Sequence, residues 1–271
     1  MPKIITIGNN KGGVGKTTTV INLAAGLANL KKKILVIDGD PQANTTITLL
    51  PDIEMREHSN LVMALEDENG TFTQNSCPTN TENLFVVPNS IKCMEWEAKS
   101  YTSIDSVLGF ARLINNDENI EQFDYIVIDT PPNIGPMLRN ALMISDYVIC
   151  PIPVADQYAL DGFSTFLNVL YQAKKQNKRL LLLGVLLTKF DGRSLTFKHN
   201  REKIRKFFLT KKIPVFNSEI RVNIDLDRAH SNRKTIFEYD PKGRKSGHQD
   251  YAALAKEVLD LIEKNNRIEK T

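Results

Sequence analysis

The sequence has few cysteines, and they are not spaced for metal or disulfide chemistry. Three cysteines occur among 271 residues, and no two of them form a C-x-x-C pair. This pattern argues against a disulfide framework and against a cysteine zinc site. We therefore expect a reduced, cytoplasmic protein.

Long hydrophobic runs and a secretion signal are also missing. The longest nearly apolar run, residues 180–187, is far shorter than the roughly 20 residues that a membrane helix requires. The first residues, MPKIITIG, lack the charged-then-apolar layout of a signal peptide. The first predicted strand begins at residue 3, so we expect no N-terminal helix-turn-helix domain. With 41% hydrophobic and 25% charged residues, the chain is typical of a globular protein, and we expect one domain over residues 1–271.

Net charge is small, but it is unevenly distributed. The whole chain carries +3. Residues 189–248 contain sixteen Lys or Arg and seven Asp or Glu, which gives this basic region +9 and leaves −6 for the remainder. Such an asymmetry is typical of proteins that bind a polyanion. Charge alone also fits a set of solvated helix faces, so the alternative stays open.

Short β-rich runs alternate with helical patterns along nearly the whole chain. The predicted strands are residues 3–7, 33–37, 84–87, 125–128, 147–152, 181–188 and 213–216. They are continuous Val/Ile/Leu runs, as expected for strands covered on both faces. Helical spacing of apolar residues in 17–30 and 249–264 completes a repeated strand–helix pattern. This pattern predicts an α/β fold with a doubly wound, mostly parallel sheet flanked by helices.

The strongest motif is GNNKGGVGKTTT, which stands between the first predicted strand and the first predicted helix. Glycines in such a loop allow backbone N–H groups to surround an anion, and the following helix adds its positive N-terminal end. Lys16 is placed to reach the β and γ phosphates of a nucleotide, and the Thr17 hydroxyl is placed to bind Mg²⁺. A strict G-x-x-x-x-G-K-[ST] pattern fails because Asn10 stands at its first position, while Lys11 precedes the glycines.

Two further motifs place carboxylates at the ends of predicted strands. Asp38 and Asp40 follow the second strand in VIDGDPQANTT, at the edge where open α/β sheets bind ligands. There a carboxylate can orient a water molecule or belong to a metal shell, although Asp-Pro-Gln also suits an ordinary turn. Asp129 ends the strand in FDYIVIDTPPNIG, the Walker B pattern of a carboxylate that reaches Mg²⁺.

Together, these motifs resemble the deviant Walker A box of the ParA/MinD family of dimerising P-loop ATPases. The resemblance covers residues 3–42, 123–191 and 239–259, and it is weak over segment 51–122. It implies an Mg²⁺-dependent ATP hydrolase in which ATP is sandwiched between two protomers. The implied nucleotide-binding residues are Lys11, Gly12, Gly13, Val14, Gly15, Lys16, Thr17 and Thr18.

The resemblance also implies residue roles. Lys11, Lys16 and Asp40 are the implied catalytic residues, with Lys11 acting on the partner protomer's nucleotide and Asp40 on the attacking water. The implied metal-site residues are Thr17, Asp40 and Asp129. Segment 51–122 is hypothesised to contact an adaptor protein or the second protomer.

ParA-like members of the family bind DNA without sequence preference and position a plasmid, a chromosome or a protein compartment. The resemblance therefore implies nucleoid association in the ATP-bound state and a ParB-like or other adaptor that stimulates hydrolysis. The candidate DNA-binding residues, expected on loops and helix ends or on one basic helix, are Arg193, Lys198, Arg201, Arg221, Arg244 and Lys245.

Two alternatives remain. A MinD-like protein that cycles on membranes needs an amphipathic C-terminal helix, and the ending EKNNRIEKT has little apolar surface. A P-loop ligase or cofactor-assembly enzyme needs a small-molecule pocket or a C-x-x-C pair, and the sequence has no such pair.

Overall fold

A twisted sheet forms the centre of the computed structural model, which describes residues 1–50, 52, 59–101, 105–155 and 159–268. Its strands are Lys3–Ile7 (β1), Ile34–Asp38 (β2), Cys77–Pro78 (β3), Leu84–Val87 (β4), Tyr125–Asp129 (β5), Tyr147–Pro153 (β6), Leu181–Phe190 (β7) and Val215–Arg221 (β8). Their order is β3-β4-β2-β5-β1-β6-β7-β8. In the part of the chain that the structure describes, β3 and β4 are antiparallel and the other neighbouring pairs are parallel. The predicted fold class is confirmed.

Helices connect these strands and cover both faces of the sheet. They are Lys16–Asn29 (α1), Asn44–Leu49 (α2), Leu61–Glu66 (α3), Cys93–Ser100 (α4), Gly109–Asn115 (α5), Pro136–Ile144 (α6), Ala159–Gln176 (α7), Leu195–Thr210 (α8), Ile224–Ser231 (α9), Ile236–Tyr239 (α10) and Ser246–Ile268 (α11). Short 3₁₀ turns occupy Asp105–Leu108 and Ile120–Gln122.

Burial on both faces explains why the central strands are so apolar. Every residue of β2 and β5 is buried. On one face the sheet packs against α1 and α11, and on the other against α3, α5 and α6. A third cluster joins β6 and β7 to α7 and α8. Because no strand of this central set faces water, continuous apolar runs replace the alternation of a half-exposed sheet.

The predicted elements agree with the structure at the centre of the fold and differ at its edges. Helix α3 follows its N-cap residue Asn60, whose side chain accepts a hydrogen bond from the Met63 N–H. The sequence analysis gave no bounds for β3 or for the helices α2, α4, α5, α6, α7, α9 and α10. The expectation that Arg221 lies on a loop or helix end is wrong, because β8 continues beyond the predicted 213–216 and Arg221 is its last residue.

The C-terminal helix α11 uses its apolar side inside the protein. Tyr251, Leu254, Ala255 and Val258 are all buried against the core that contains α1. Within the described residues, no helix combines the length and apolar character needed to cross a membrane.

Candidate nucleotide site

The topology brings the three sequence motifs to one edge of the sheet. Strand β5 lies between β1 and β2. In register, Asp129 pairs with Ile7 of β1 and with Asp38 of β2. The glycine loop that follows β1 therefore lies beside the carboxylates that end β2 and β5. This is the carboxyl edge, where α/β sheets bind ligands.

The glycine loop has the backbone geometry that its sequence requires. Gly13 and Gly15 have φ angles of +71° and +95°, in the left-handed region that favours glycine. Asn9 anchors the start of the loop, since its side chain donates to the Pro151 carbonyl (2.8 Å) and accepts from the Lys11 N–H (3.0 Å). Strands β6 and β7 thus hold the loop from behind, because Thr188 also donates to the Val14 carbonyl at 2.9 Å.

Lys16 is the buried cation of the loop. Its side chain is enclosed, and Nζ donates to the Lys11 carbonyl at 2.9 Å. Burial lowers the pKa of Lys16, while the nearby Asp129 and Asp40 carboxylates act in the opposite direction. An ammonium group at this position neutralises negative charge on a ligand inside the loop.

Lys11 and Thr18 border the same loop. The Lys11 stem lies against α7, because a Cβ atom at Gly162 would be 2.6 Å from Lys11 Cε. The carbonyl of Thr18 accepts a hydrogen bond from the Asn22 side chain. Gly12 lies near the Pro132 ring, because a Cβ atom built at Gly12 would be 3.9 Å from Cβ of Pro132.

Asp129 is the centre of a set of oxygen ligands. It is fully buried, and its Oδ2 accepts hydrogen bonds from the Thr17 hydroxyl (2.8 Å) and the Thr45 hydroxyl (2.7 Å). Burial raises the pKa of Asp129 to about 6, partly offset by the hydrogen bonds from Thr45 and Thr17. A buried carboxylate with two hydroxyls is the kind of donor set that Mg²⁺ prefers.

Asp38 organises the turn that carries Asp40. One carboxylate oxygen of Asp38 accepts from the Thr46 N–H (2.8 Å) and hydroxyl (2.6 Å), and the other accepts from the Asp40 N–H at 3.2 Å. Asp40 in turn accepts from the Gln42 N–H at 2.9 Å. Burial, followed by the charge of Asp129, raises the pKa of Asp38 to about 8. The Asp-Pro-Gln segment therefore forms a turn, and this turn places the buried Asp40 carboxylate at the nucleotide edge.

Two features of the site fit a Mg²⁺–nucleotide. The loop offers left-handed glycines, and a Cβ at Gly13 would have nothing within 4 Å, so the backbone there is open to a ligand. The Thr17, Thr45 and Asp129 oxygens would supply hard ligands for a cation. The loop amides and Lys16 would hold the phosphates.

Sequence reasoning missed several residues of this site. Thr45 and Thr46 belong to α2, and Asn89 follows β4, where its side chain donates to the Asp40 carbonyl at 3.3 Å. Asn89 also donates its N–H to the Thr46 hydroxyl at 2.9 Å. Its place directly after a strand was a usable signal, because strand ends gather at this edge.

Most of the candidate DNA-binding residues are paired with acidic groups. Arg193 pairs with Asp191, Arg201 with Glu219, Arg221 with Asp250 and Lys245 with Asp225. Lys198 and Arg244 are exposed and form no ion pair within the described residues. Arg205 shares Glu219 with Arg201. The structure thus brings acidic partners to four of the six.

Comparison with known proteins identifies the family. The AAA domain family matches residues 2–182. The sporulation initiation inhibitor protein Soj of Bacillus subtilis is 38% identical over 95% of this chain and 98% of its own length. A plasmid partition protein of Borrelia burgdorferi, solved with AMPPNP, is 26% identical, with a TM-score of 0.77 over 98% of this chain and 100% of that chain.

A third similarity concerns the fold alone. Cobyrinic acid a,c-diamide synthase of Mycobacterium smegmatis, solved with ADP and magnesium, has a TM-score of 0.79 at 22% identity. It covers 98% of this chain and 97% of that chain. This synthase and the partition protein thus share one architecture, and the family assignment rests on the sequence relatives. On that evidence, the chain belongs to the ParA/Soj family of partition ATPases.

Proposed function

We propose that this ATPase works as an ATP-dependent homodimer that binds DNA without sequence preference and positions a cargo. The observation that carries the proposal is the convergence of Lys16, Thr17, Asp40 and Asp129 on one edge of the sheet, beside a loop that also contains Lys11. Convergence of this kind serves phosphoryl transfer, which depends on positioning and charge stabilisation.

Each residue at the edge is assigned a role. The loop from Lys11 to Thr18 binds the phosphates, with Lys16 neutralising their charge. Thr17 and Asp129 hold the cation, with Asp40 in its outer shell. Bound Mg²⁺ would withdraw charge from the phosphate oxygens. Asp40 orients the attacking water, a role that suits a buried carboxylate fixed by hydrogen bonds along its turn.

Lys11 is assigned to the second protomer's nucleotide. It stands at the entrance of the loop, and its stem is supported by Gly162 of α7. A lysine supplied across an interface acts as an arginine finger does, by neutralising charge on a partner's phosphates. Lys11→Ala is then expected to prevent ATP-dependent dimerisation while nucleotide binding persists. Normal dimerisation of this variant by light scattering would contradict the role in trans.

The basic region is assigned to DNA. Exposed Lys198 and Arg244 are the most available of the six candidates, while Arg193, Arg201, Arg221 and Lys245 must exchange or share an acidic partner to reach a phosphate. Contacts of this type are insensitive to sequence and strongly dependent on salt. Nucleoid association in the ATP-bound state would follow from them.

An adaptor protein is proposed to stimulate hydrolysis, and segment 51–122 is the proposed adaptor or dimer contact. Helix α4 of this segment exposes Met94, with Ile91 before it and Tyr101 after it, at 50%, 63% and 60% of their surface. Exchanging the segment for a relative's should change which adaptor stimulates hydrolysis. An unchanged choice of adaptor would refute this assignment.

The proposed function is tested by DNA titrations of Asp40→Ala, which should bind ATP and stay dimeric because only the water-orienting carboxylate is lost. We expect it to bind unrelated duplexes with ATP, but not with ADP or without nucleotide, and more weakly at higher salt. The matched control is Asp40→Ala combined with Lys16→Ala, which should bind no duplex. Binding that ignores the nucleotide, or no binding at all, would refute the DNA assignment. Hydrolysis by Asp40→Ala at the parent rate would refute the role of Asp40.

A further inference from the structure

A further buried carboxylate, Glu97, lies close to the nucleotide edge and has no role in the site described so far. It belongs to α4, within segment 51–122, and only 6% of its surface is exposed. Acidic side chains are rarely this buried without a specific partner. The Asp40 charge is near enough to contribute to raising the pKa of Glu97, although burial is the main cause.

The partners of Glu97 lie on the chain that follows Asp129. Hydrogen bonding by the Asn133 side chain and by the backbone of Met137, the second residue of α6, lowers the pKa of the Glu97 carboxyl group, while its Oε1 atom is buried without a hydrogen-bond partner among the described residues. The N-cap of α6 is Gly135, which has no side chain to accept a hydrogen bond from the first turn. Glu97 therefore caps α6 from another helix, and its charge complements the positive end of α6.

Gly135 is what allows this contact. A Cβ atom at Gly135 would collide with Oε1 of Glu97, and it would lie 2.7 Å from Asn133 Oδ1 and 2.9 Å from the Tyr101 hydroxyl. Since φ at Gly135 is −101°, backbone strain does not demand glycine here. Glycine is required at position 135 because the Glu97 carboxyl group occupies the space in which a Cβ atom would lie.

The other end of the loop is fixed to the nucleotide site. Thr130 donates its N–H to Asp129 Oδ1 and its hydroxyl to the Ile7 carbonyl, both at 2.9 Å. Between the two anchors, Pro132 lies beside Gly12 of the glycine loop. Loop 131–135 thus spans from the cation-binding carboxylate to the α6 cap, and it touches the phosphate-binding loop on the way.

We propose that Glu97 is a positioning residue for ATP hydrolysis. By capping α6, it holds loop 131–135 against the glycine loop, so that Asp129 and Pro132 keep their places during turnover. This inference rests on the proposed assignment of the nucleotide site. It makes segment 51–122 a part of the hydrolysis machinery, because α4 supplies one of the two anchors of a loop that the site requires.

The test compares Glu97→Ala with Glu97→Gln and with Glu95→Ala, an exposed acid on the same helix. Loss of an N-cap corresponds to roughly three- to thirtyfold in an equilibrium constant. We therefore expect Glu97→Ala to lower kcat for ATP about tenfold with KM within about twofold. Glu97→Gln, which keeps an acceptor for the Met137 N–H, should recover most of the rate, and Glu95→Ala should match the parent.

Amide hydrogen exchange gives a second readout that needs no turnover. We expect the Met137 amide to exchange about tenfold faster in Glu97→Ala, and Gly135→Ala to reproduce both effects by displacing the same carboxyl group. If Glu97→Ala does not fold, Glu97→Asp, which is one methylene shorter, replaces it. A parent-like kcat in Glu97→Ala, or a loss that Gln does not relieve, would overturn the proposal. If the Met137 amide exchanges faster in Glu97→Ala but the parent protein does not hydrolyse ATP, the assignment of the nucleotide site is refuted instead.

Discussion

The nucleotide edge and the basic region differ in how their charges are held. At the edge, Lys16, Asp38 and Asp129 are buried, and each is fixed by hydrogen bonds to the glycine loop, to Thr46 or to Thr17 and Thr45. In residues 189–248 the cations lie on long exposed side chains. Four of the six candidates there are paired with Asp or Glu of the same chain.

This difference teaches which sequence signals carry geometry. A charge at a strand end is placed by backbone hydrogen bonds, so the sheet topology determines its neighbours. A charge on a surface helix is placed by flexible side-chain torsions and by whichever acids lie near it, and such pairs contribute little free energy. Motif spacing therefore predicts a site, whereas a charge count predicts only a region.

The largest expected effect is at Lys16. Lys16→Ala removes the buried ammonium group, and charged hydrogen bonds of this kind are worth about 1.5–3 kcal/mol each. We expect ATP affinity to fall at least about a hundredfold in a fluorescence titration. Lys198→Ala, an exposed lysine of the basic region, should leave ATP affinity unchanged. Equal effects of the two substitutions would remove the contrast between the two regions.

The next effect is a dependence of stability on pH. The pKa of Asp38 is raised from 3.8 to about 8 in the folded protein, so between these values the folded state holds a proton that the unfolded state has lost. Stability without nucleotide should therefore fall as pH rises from about 4 to 8, by up to about 1.4 kcal/mol per pH unit. Thermal unfolding at several pH values measures this slope.

Asp38→Asn provides the control for the pH effect. It cannot ionise, so the slope of melting temperature against pH should flatten in this variant. Mg²⁺ with ADP should flatten the slope in the parent, because a cation near Asp129 favours the ionised carboxylates. An identical slope in Asp38→Asn and the parent would assign the pH dependence to other groups.

A smaller effect is expected at Arg221, which separates structural cations from DNA contacts within the basic region. Its guanidinium forms several hydrogen bonds with Asp250, which is only 8% exposed. Arg221→Gln leaves that carboxylate unpaired, and since Arg221 itself is 45% exposed, we expect a loss of only about 1 kcal/mol. Arg244→Gln should leave the urea midpoint unchanged. A parent-like midpoint for Arg221→Gln would show that the Asp250 pair has no structural role.

The central fold and the core of the site were predictable for a physical reason. β2 and β5 are fully buried and β1 is buried after Lys3, so their apolar runs mark them in the sequence, and the residues that follow them gather at one edge by topology. The glycine loop has to turn through left-handed backbone at Gly13 and Gly15, which limits the sequences that can form it.

The rest depends on contacts between segments that carry no periodic signal. Thr45, Asn89 and Glu97 reach the site from short elements, and their roles exist only because α2 and α4 pack over the sheet edge. The ion pair of Arg221 with Asp250 joins residues 29 apart in sequence. No local sequence pattern predicts such a partner, so the sequence identifies the arginine but not its ion pair.

The smallest predicted effect tests whether internal pairing limits DNA binding. Arg201 and Arg205 share Glu219, which is 10% exposed, and both contact its Oε1 at 2.7 Å and 2.6 Å. In Glu219→Gln two guanidinium groups lose their counter-charge, so with ATP the affinity for unrelated DNA should rise about two- to fivefold, and the salt dependence should steepen by about one phosphate contact. Glu202→Gln is the control, because it removes an exposed acid from the helix that carries both arginines and changes the net charge by the same amount. If both variants gain affinity equally, net charge alone governs DNA binding. If only Glu219→Gln gains affinity for DNA, internal ion pairs prevent part of the basic region from binding phosphates. The basic region and the nucleotide edge then differ in how their charges are paired as well as in how deeply they are buried.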